Sequence, residues 1–181
     1  MESSNICINK YRNYIEKIDF EGIVEKALVD DDFDTLKALT KCHRITPEAL
    51  YKMAEGILEV EDILIFWEVI ESIVANTKAN AKTLGTILVA MEKYEPKTSD
   101  NRGRKYNVLA CIAGHPNITP ELITKLGEID VFDIQMRLAT NDAVPDNYLY
   151  LMIQDESLSK DVRFEAAKKL IEKHKEIIKI E

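Results

Sequence analysis

Asp30, Asp31, Asp32 and Asp34 place four carboxylates within five positions, the pattern that most invites a metal ion in this 181-residue chain. Calcium would be the natural guest, because it collects six to eight oxygen ligands. The run lacks the glycine and the distal glutamate that an EF-hand loop requires. The acids read instead as an N-cap with dipole-favourable charge before a helix carrying Leu36 and Leu39. His43, His115 and His174 are isolated from one another. The first two fall near helix ends, where an imidazole bonds a last carbonyl or meets the dipole. The chain has no glycine-rich phosphate loop, no Cys-x-x-Cys and no His-Glu-x-x-His. These residues supply no catalytic constellation, no cofactor site and no metal site.

A second group of residues points to recognition. Between Tyr94 and Lys105 lie Pro96, Ser99, Asp100, Asn101 and Gly103, turn formers without a helical period, so the segment reads as an inserted loop. Lys97, Arg102, Arg104 and Lys105 oppose Glu95 and Asp100 there, a local balance of +2 in a chain of net charge −8. Arg102 and Arg104 suit bidentate pairing with carboxylates or phosphates, and Tyr106 suits an aromatic anchor. Arg102, Arg104, Lys105 and Tyr106 are thus the candidate contacts for a protein partner.

The elements that must position these residues are helices. Tyr106, Leu109, Ala110 and Ala113 share one helical face, and Gly114 and Pro116 end that segment. Thr119 then stands at an N-cap, with Pro120 at the first helical position and Glu121 at the positive end of the dipole. Leu122, Ile123 and Leu126 form the next apolar face, and Gly127 is expected to close the helix in a left-handed conformation. Ile45-Thr46-Pro47-Glu48 repeats Ile118-Thr119-Pro120-Glu121, with Leu50 and Met53 answering Ile123 and Leu126. Val144-Pro145-Asp146 gives another copy, placing Tyr148 and Leu151 in the apolar positions. Ala79-Asn80-Ala81-Lys82, followed by Leu84 and Ile87, gives a degenerate one. The helices ahead of the turns correspond too: Val108, Ile112 and Ala113 match Ile134, Leu138 and Ala139, then Val162, Ala166 and Ala167. Such self-similarity marks a stacked array in which neighbours complete each other's core.

On these motifs the chain resembles the leucine-rich repeat variant family, a relative of HEAT-like helical arrays. The resemblance spans roughly Phe33 to Leu170 and is cleanest from Val108 to Ala167. It implies an all-α, right-handed solenoid of short helical repeats and says almost nothing about activity. Some family members carry a cysteine-bound iron–sulfur cluster. Cys7, Cys42 and Cys111 are too scattered for that feature to carry over. Residues 1–32 read as an N-terminal helical cap, 33–170 as repeats and 171–181 as the end of a C-terminal helix, all in one domain. The cap contains a helix marked by Tyr11, Tyr14, Ile15 and Ile18, then one capped by Asp19. Asp62 is expected to cap a longer helix to Ala75, with Ile63, Phe66, Trp67, Ile70 and Val74 inward.

Composition narrows the function. Residues 1–76 hold 8 Lys/Arg against 16 Asp/Glu, while residues 77–181 hold 16 against 16, so the acidity sits in the first half. No basic face offers itself to nucleic acid. No apolar run approaches a membrane span and no secretory signal is visible. Three cysteines without paired spacing read as reduced, buried thiols of a cytoplasmic protein. The expected function is a non-catalytic interaction module, a helical-repeat scaffold or adaptor binding another protein. Two alternatives stand beside it: an acidic inhibitor of a nucleic-acid-binding protein, and a small-molecule or nucleotide-processing enzyme on the same scaffold.

Overall fold

Short apolar stripes, most of them behind a polar cap, form ten helices among the described residues of a computed structural model, which are 18–58 and 66–178. They are α1 (Phe20–Val29), α2 (Phe33–Thr40), α3 (Pro47–Leu58), α4 (Trp67–Val74) and α5 (Ala81–Lys93). Then come α6 (Ser99–Ala113), α7 (Pro120–Gly127), α8 (Phe132–Thr140), α9 (Asp146–Gln154) and α10 (Lys160–Ile178). Among the described residues there is no strand. The expected first helix, marked by Tyr11, Tyr14, Ile15 and Ile18, lies outside the described residues except for Ile18, which is exposed and not helical.

The caps explain the starts. Asp19, Asp32, Asn80, Thr98 and Thr119 each accept an amide hydrogen from the first turn of the helix that follows, and Thr46 does so for Ala49. The aspartate run joins two helices. Asp31 takes a left-handed conformation at φ 52°, the Asp32 amide reaches back to the Ala27 carbonyl at 2.8 Å, and this closes α1 in a Schellman-type turn. Asp32 then caps α2 through Thr35, accepting from its amide at 3.0 Å and its hydroxyl at 2.6 Å. The four acids are therefore a helix stop fused to a helix start.

Packing runs mainly between each helix and the next but one. α2, α4, α6, α8 and α10 form one continuous row, in which each member packs on its predecessor. α1, α3 and α5 form a second row, so the N-terminal cap continues the array's own stacking. Leu50, Ile57, Ile70, Leu84, Ile112 and Leu138 are among the side chains fully buried where the rows meet. Trp67 belongs to this core at 3% exposure.

A polar seam runs along one edge of the array. Asn76, His115 and Asn141 occupy the same turn position, since the third residue after each donates its amide back to it: Ala79 to Asn76, Ile118 to His115, Val144 to Asn141. Each also reaches the turn region one unit earlier. Asn76 donates to the Thr40 carbonyl at 2.7 Å, and His115 Nε2 lies 3.0 Å from the Asn76 carbonyl. Asn141 donates to the carbonyls of Ala113 at 2.8 Å and His115 at 3.1 Å. Buried turn carbonyls must find donors, and here the neighbouring unit supplies them.

Several sequence expectations need correction. Ser99 to Lys105 are helical, because Thr98 caps α6 and its polar first turns extend the apolar segment behind them. The turn formers in that stretch are an N-terminus, not a loop. α4 begins at Trp67 with Phe66 at its N-terminal boundary, so the expected helix is shorter; Asp62 and Ile63 lie outside the described residues. No glycine has positive φ. Gly127 instead makes room for Tyr148, whose hydroxyl would lie 1.6 Å from a β-carbon there and donates to the Ile123 carbonyl at 3.3 Å. Leu151 is 59% exposed, while Leu149 and Met152 are buried. Pro145 is the N-cap of α9, whereas Pro120 is the first residue of α7, so aligning the prolines misplaces the register by one. Of the three thiols expected to be buried, Cys111 is exposed, Cys42 is half-buried and Cys7 lies outside the described residues.

Candidate functional site

The residues expected to contact a partner are spread around α6, as neighbouring positions on a helix must be, about 100° apart. Arg104 turns toward α4 and ion-pairs with Glu71 and, along its own helix, with Asp100, both at 3.5 Å. Lys105 turns the other way, and its ammonium donates to the Tyr94 carbonyl at 2.8 Å. Partial burial pushes its pKa down, with Glu95 and Glu92 opposing. Tyr106 is half-buried against the core and Arg102 is exposed. The four do not gather on one face.

The histidines and acids of the sequence reading have structural partners. His115 is 3% exposed; its Nδ1 accepts from the Asn117 amide at 3.0 Å, so the proton sits on Nε2, facing the Asn76 carbonyl. Burial lowers its pKa, opposed by the bond to Asn76. His174 meets Asp146 at 2.9 Å, and His43 is exposed on a turn. In the acidic first half, Glu25 pairs with Lys52 and Glu68 with Lys37, while Glu21 accepts from the Thr46 hydroxyl at 2.5 Å. Among the described residues no His, Cys, Asp and Glu gather in a metal-binding cluster.

A cleft lies where the second row is interrupted. α5 packs on α3, but α7 makes few contacts with α5 and leans on α6 and α8 instead. The gap encloses about 840 Å³. Its floor consists of small and apolar groups, among them Gly85, Val89 and Ala90 of α5 and Leu122 of α7. A β-carbon on Gly85 would make an ordinary van der Waals contact with the Leu122 side chain at 3.9 Å, so α5 and α7 come together here across a small residue. Tyr94 closes one wall. Its ring stands edge-on to Trp67 at 5.5 Å and its carbonyl is held by Lys105. The candidate contact Lys105 therefore positions the cleft wall.

Charge is concentrated at the rim, where Lys82, Lys93 and Lys125 stand against Glu121. Lys82 lies over the Tyr51 ring at 3.6 Å from its centre, a cation–π contact. No histidine or cysteine lines the cleft among the described residues. The arrangement can hold an apolar surface and attract negative charge.

Sequence reasoning missed this site. Lys82, Thr86, Val89 and Lys93 recur at helical spacing on one face of α5, a helix that entered the sequence reading only as a degenerate copy with Leu84 and Ile87 inward. The available signal was Gly85 and Val89 within that face, since a helix interior does not favour glycine and a solvated stripe does not need valine. Compared with models of known families, with curated proteins and with solved structures, the chain matches none.

Proposed function

We propose that the protein is a non-catalytic interaction module, an adaptor that binds another protein through the cleft between α5 and α7. The observation that carries this reading is the pairing of small and apolar lining groups with a rim of three lysines against one glutamate. An enzyme's pocket would converge titratable groups on one point, whereas these charges line the length of a groove. The scaffold reads as a HEAT-like solenoid of the leucine-rich repeat variant kind. The recurring caps, the turn residues at equivalent positions and the packing of alternate helices support it. No helix among the described residues is long and apolar enough to cross a membrane, and a cytoplasmic setting suits the unpaired Cys42 and Cys111.

The test is site-specific photocrosslinking in the native host. A benzophenone side chain at Lys93, on the cleft rim, should capture a discrete protein adduct, and one at Asn107, on the opposite row, should not. Equal capture at both sites, or none at Lys93, overturns the reading.

A further inference from the structure

We propose that the cleft receives an acidic amphipathic α-helix of the partner protein, lying along α5. This rests on the interaction-module reading and names the partner's chemistry. The lining of α5 runs from Ala81 to Lys93, about 18 Å of helix at 1.5 Å per residue, or just over three turns. Helix anchors at i, i+3 or i+4, and i+7 span about 10 Å and fit within that length. Small residues in the lining allow its close approach: Gly85, whose β-carbon would just touch Leu122, together with Ala81 and Ala90 of the same helix. Val89, 38% exposed, is the apolar contact within the cleft that such a helix would cover.

The other ways of holding a peptide do not suit the cleft. Its walls are helices, and no strand edge exists among the described residues to add an extended segment. A proline-rich ligand needs a groove lined by aromatic rings, and Tyr94 is the one aromatic of this lining.

Charge sets the sign of the partner. The chain carries a net −8, yet the rim presents Lys82, Lys93 and Lys125 against Glu121. Lys37, Lys52 and Lys169 meet carboxylates of other helices or turns, whereas Lys26, Lys41 and Lys97 have no such partner among the described residues. It is the grouping of three lysines around one cleft that sets its sign. Among the described residues none of the three rim lysines has a carboxylate within ion-pair distance. Glutamates on the flank of an incoming helix would supply those partners, and the apolar stripe between them would meet the floor.

Two fluorescent helical peptides of about sixteen residues test this, both with the same leucine stripe, one with glutamate and one with lysine on the polar face. The acidic peptide should bind about tenfold more tightly, with the margin shrinking as ionic strength rises. The combined change Lys82→Glu, Lys93→Glu and Lys125→Glu should reverse the preference. Gly85→Leu should abolish binding by filling the floor while leaving the rim unchanged. Unaltered far-ultraviolet spectra and melting temperatures must accompany both variants; if a variant misfolds, the wild-type comparison of the two peptides still decides. Equal affinity for both peptides, preference for the basic one, or binding to neither overturns the proposal. A discrete protein captured at Lys93 together with any of those results sinks the acidic helix and leaves the interaction module standing.

Discussion

Along the turn edge each unit reaches back to the one before it, Asn76 to Thr40, His115 to Asn76, Asn141 to Ala113 and His115. Across the cleft, α5 and α7 stand apart, and lysines face one another over an apolar floor. The difference lies in what each place would leave unsatisfied. Turn carbonyls at the edge are backbone acceptors closed off from water, so a missing donor there would cost a desolvation penalty of about 1–3 kcal/mol. Along the middle of the cleft the helix backbones are bonded internally, and at its ends caps serve instead, Thr119 accepting from the Leu122 amide and Lys105 donating to the Tyr94 carbonyl. Leaving it open forfeits packing and nothing more. The first row stacks continuously past the gap, so the array tolerates an opening in the second.

The sharpest way to break this comparison is to open a gap on the sealed side of α7. Leu126 is fully buried, and Leu126→Ala should cost about 2–5 kcal/mol, the transfer term plus the residual cavity. Against a typical total of about 5–15 kcal/mol that is a large fraction. Equilibrium denaturation should show the midpoint falling with the slope unchanged. A midpoint near wild type would mean that α7 is loosely held on both faces.

A milder perturbation uses the one titratable member of the edge. His115 is neutral in the fold and its pKa is lowered, chiefly by burial. Above the unfolded value of about 6.5 both states are neutral and the full stability is present. As the pH falls from there through the lowered folded value, the unfolded chain takes up a proton that the folded one resists, and stability declines. His115→Asn replaces the imidazole with the residue used at Asn76 and Asn141 and removes the titration. Denaturation midpoints at pH 7.5 and 5.5 should therefore differ more for wild type than for the variant. An equal loss in both would place the pH sensitivity elsewhere.

How much of this was legible in the sequence depended on whether the information was local. Asp19, Asp32, Thr98 and Thr119 act within three residues of themselves. Of these, Asp19, Asp32 and Thr119 could be read as caps directly, and so could the all-helical class. Thr98 was the exception, since the turn formers after it fit a polar helix start as well as they fit a loop. The pairings that cross units, Lys105 with Tyr94 or Gly127 with Tyr148, left no local trace. The cleft was invisible for the same reason. Its floor depends on how far α7 stands from α5, and neither helix encodes that distance alone.

Register is the finest point at which the two repeats around α7 and α9 can be told apart, and it yields the smallest expected effect. Matching Pro145 to Pro120 puts Leu151 in the place of buried Leu126. Matching the turn residues Asn141 and His115 puts Met152 there and Leu149 in the place of Ile123, as the buried pattern shows. Proline has two acceptable positions at a helix start, since both the cap and the first residue can do without an amide donor. The turn residue has one, because it must both accept from its own loop and reach the previous unit. Leu151→Ala should therefore change stability by no more than about 0.5 kcal/mol, the usual range for an exposed site, with alanine's higher helix propensity offsetting part of any lost contact. Thermal melts of Leu151→Ala and Leu126→Ala side by side are the check. Comparable losses in the two would restore the proline register and move Leu151 into the core.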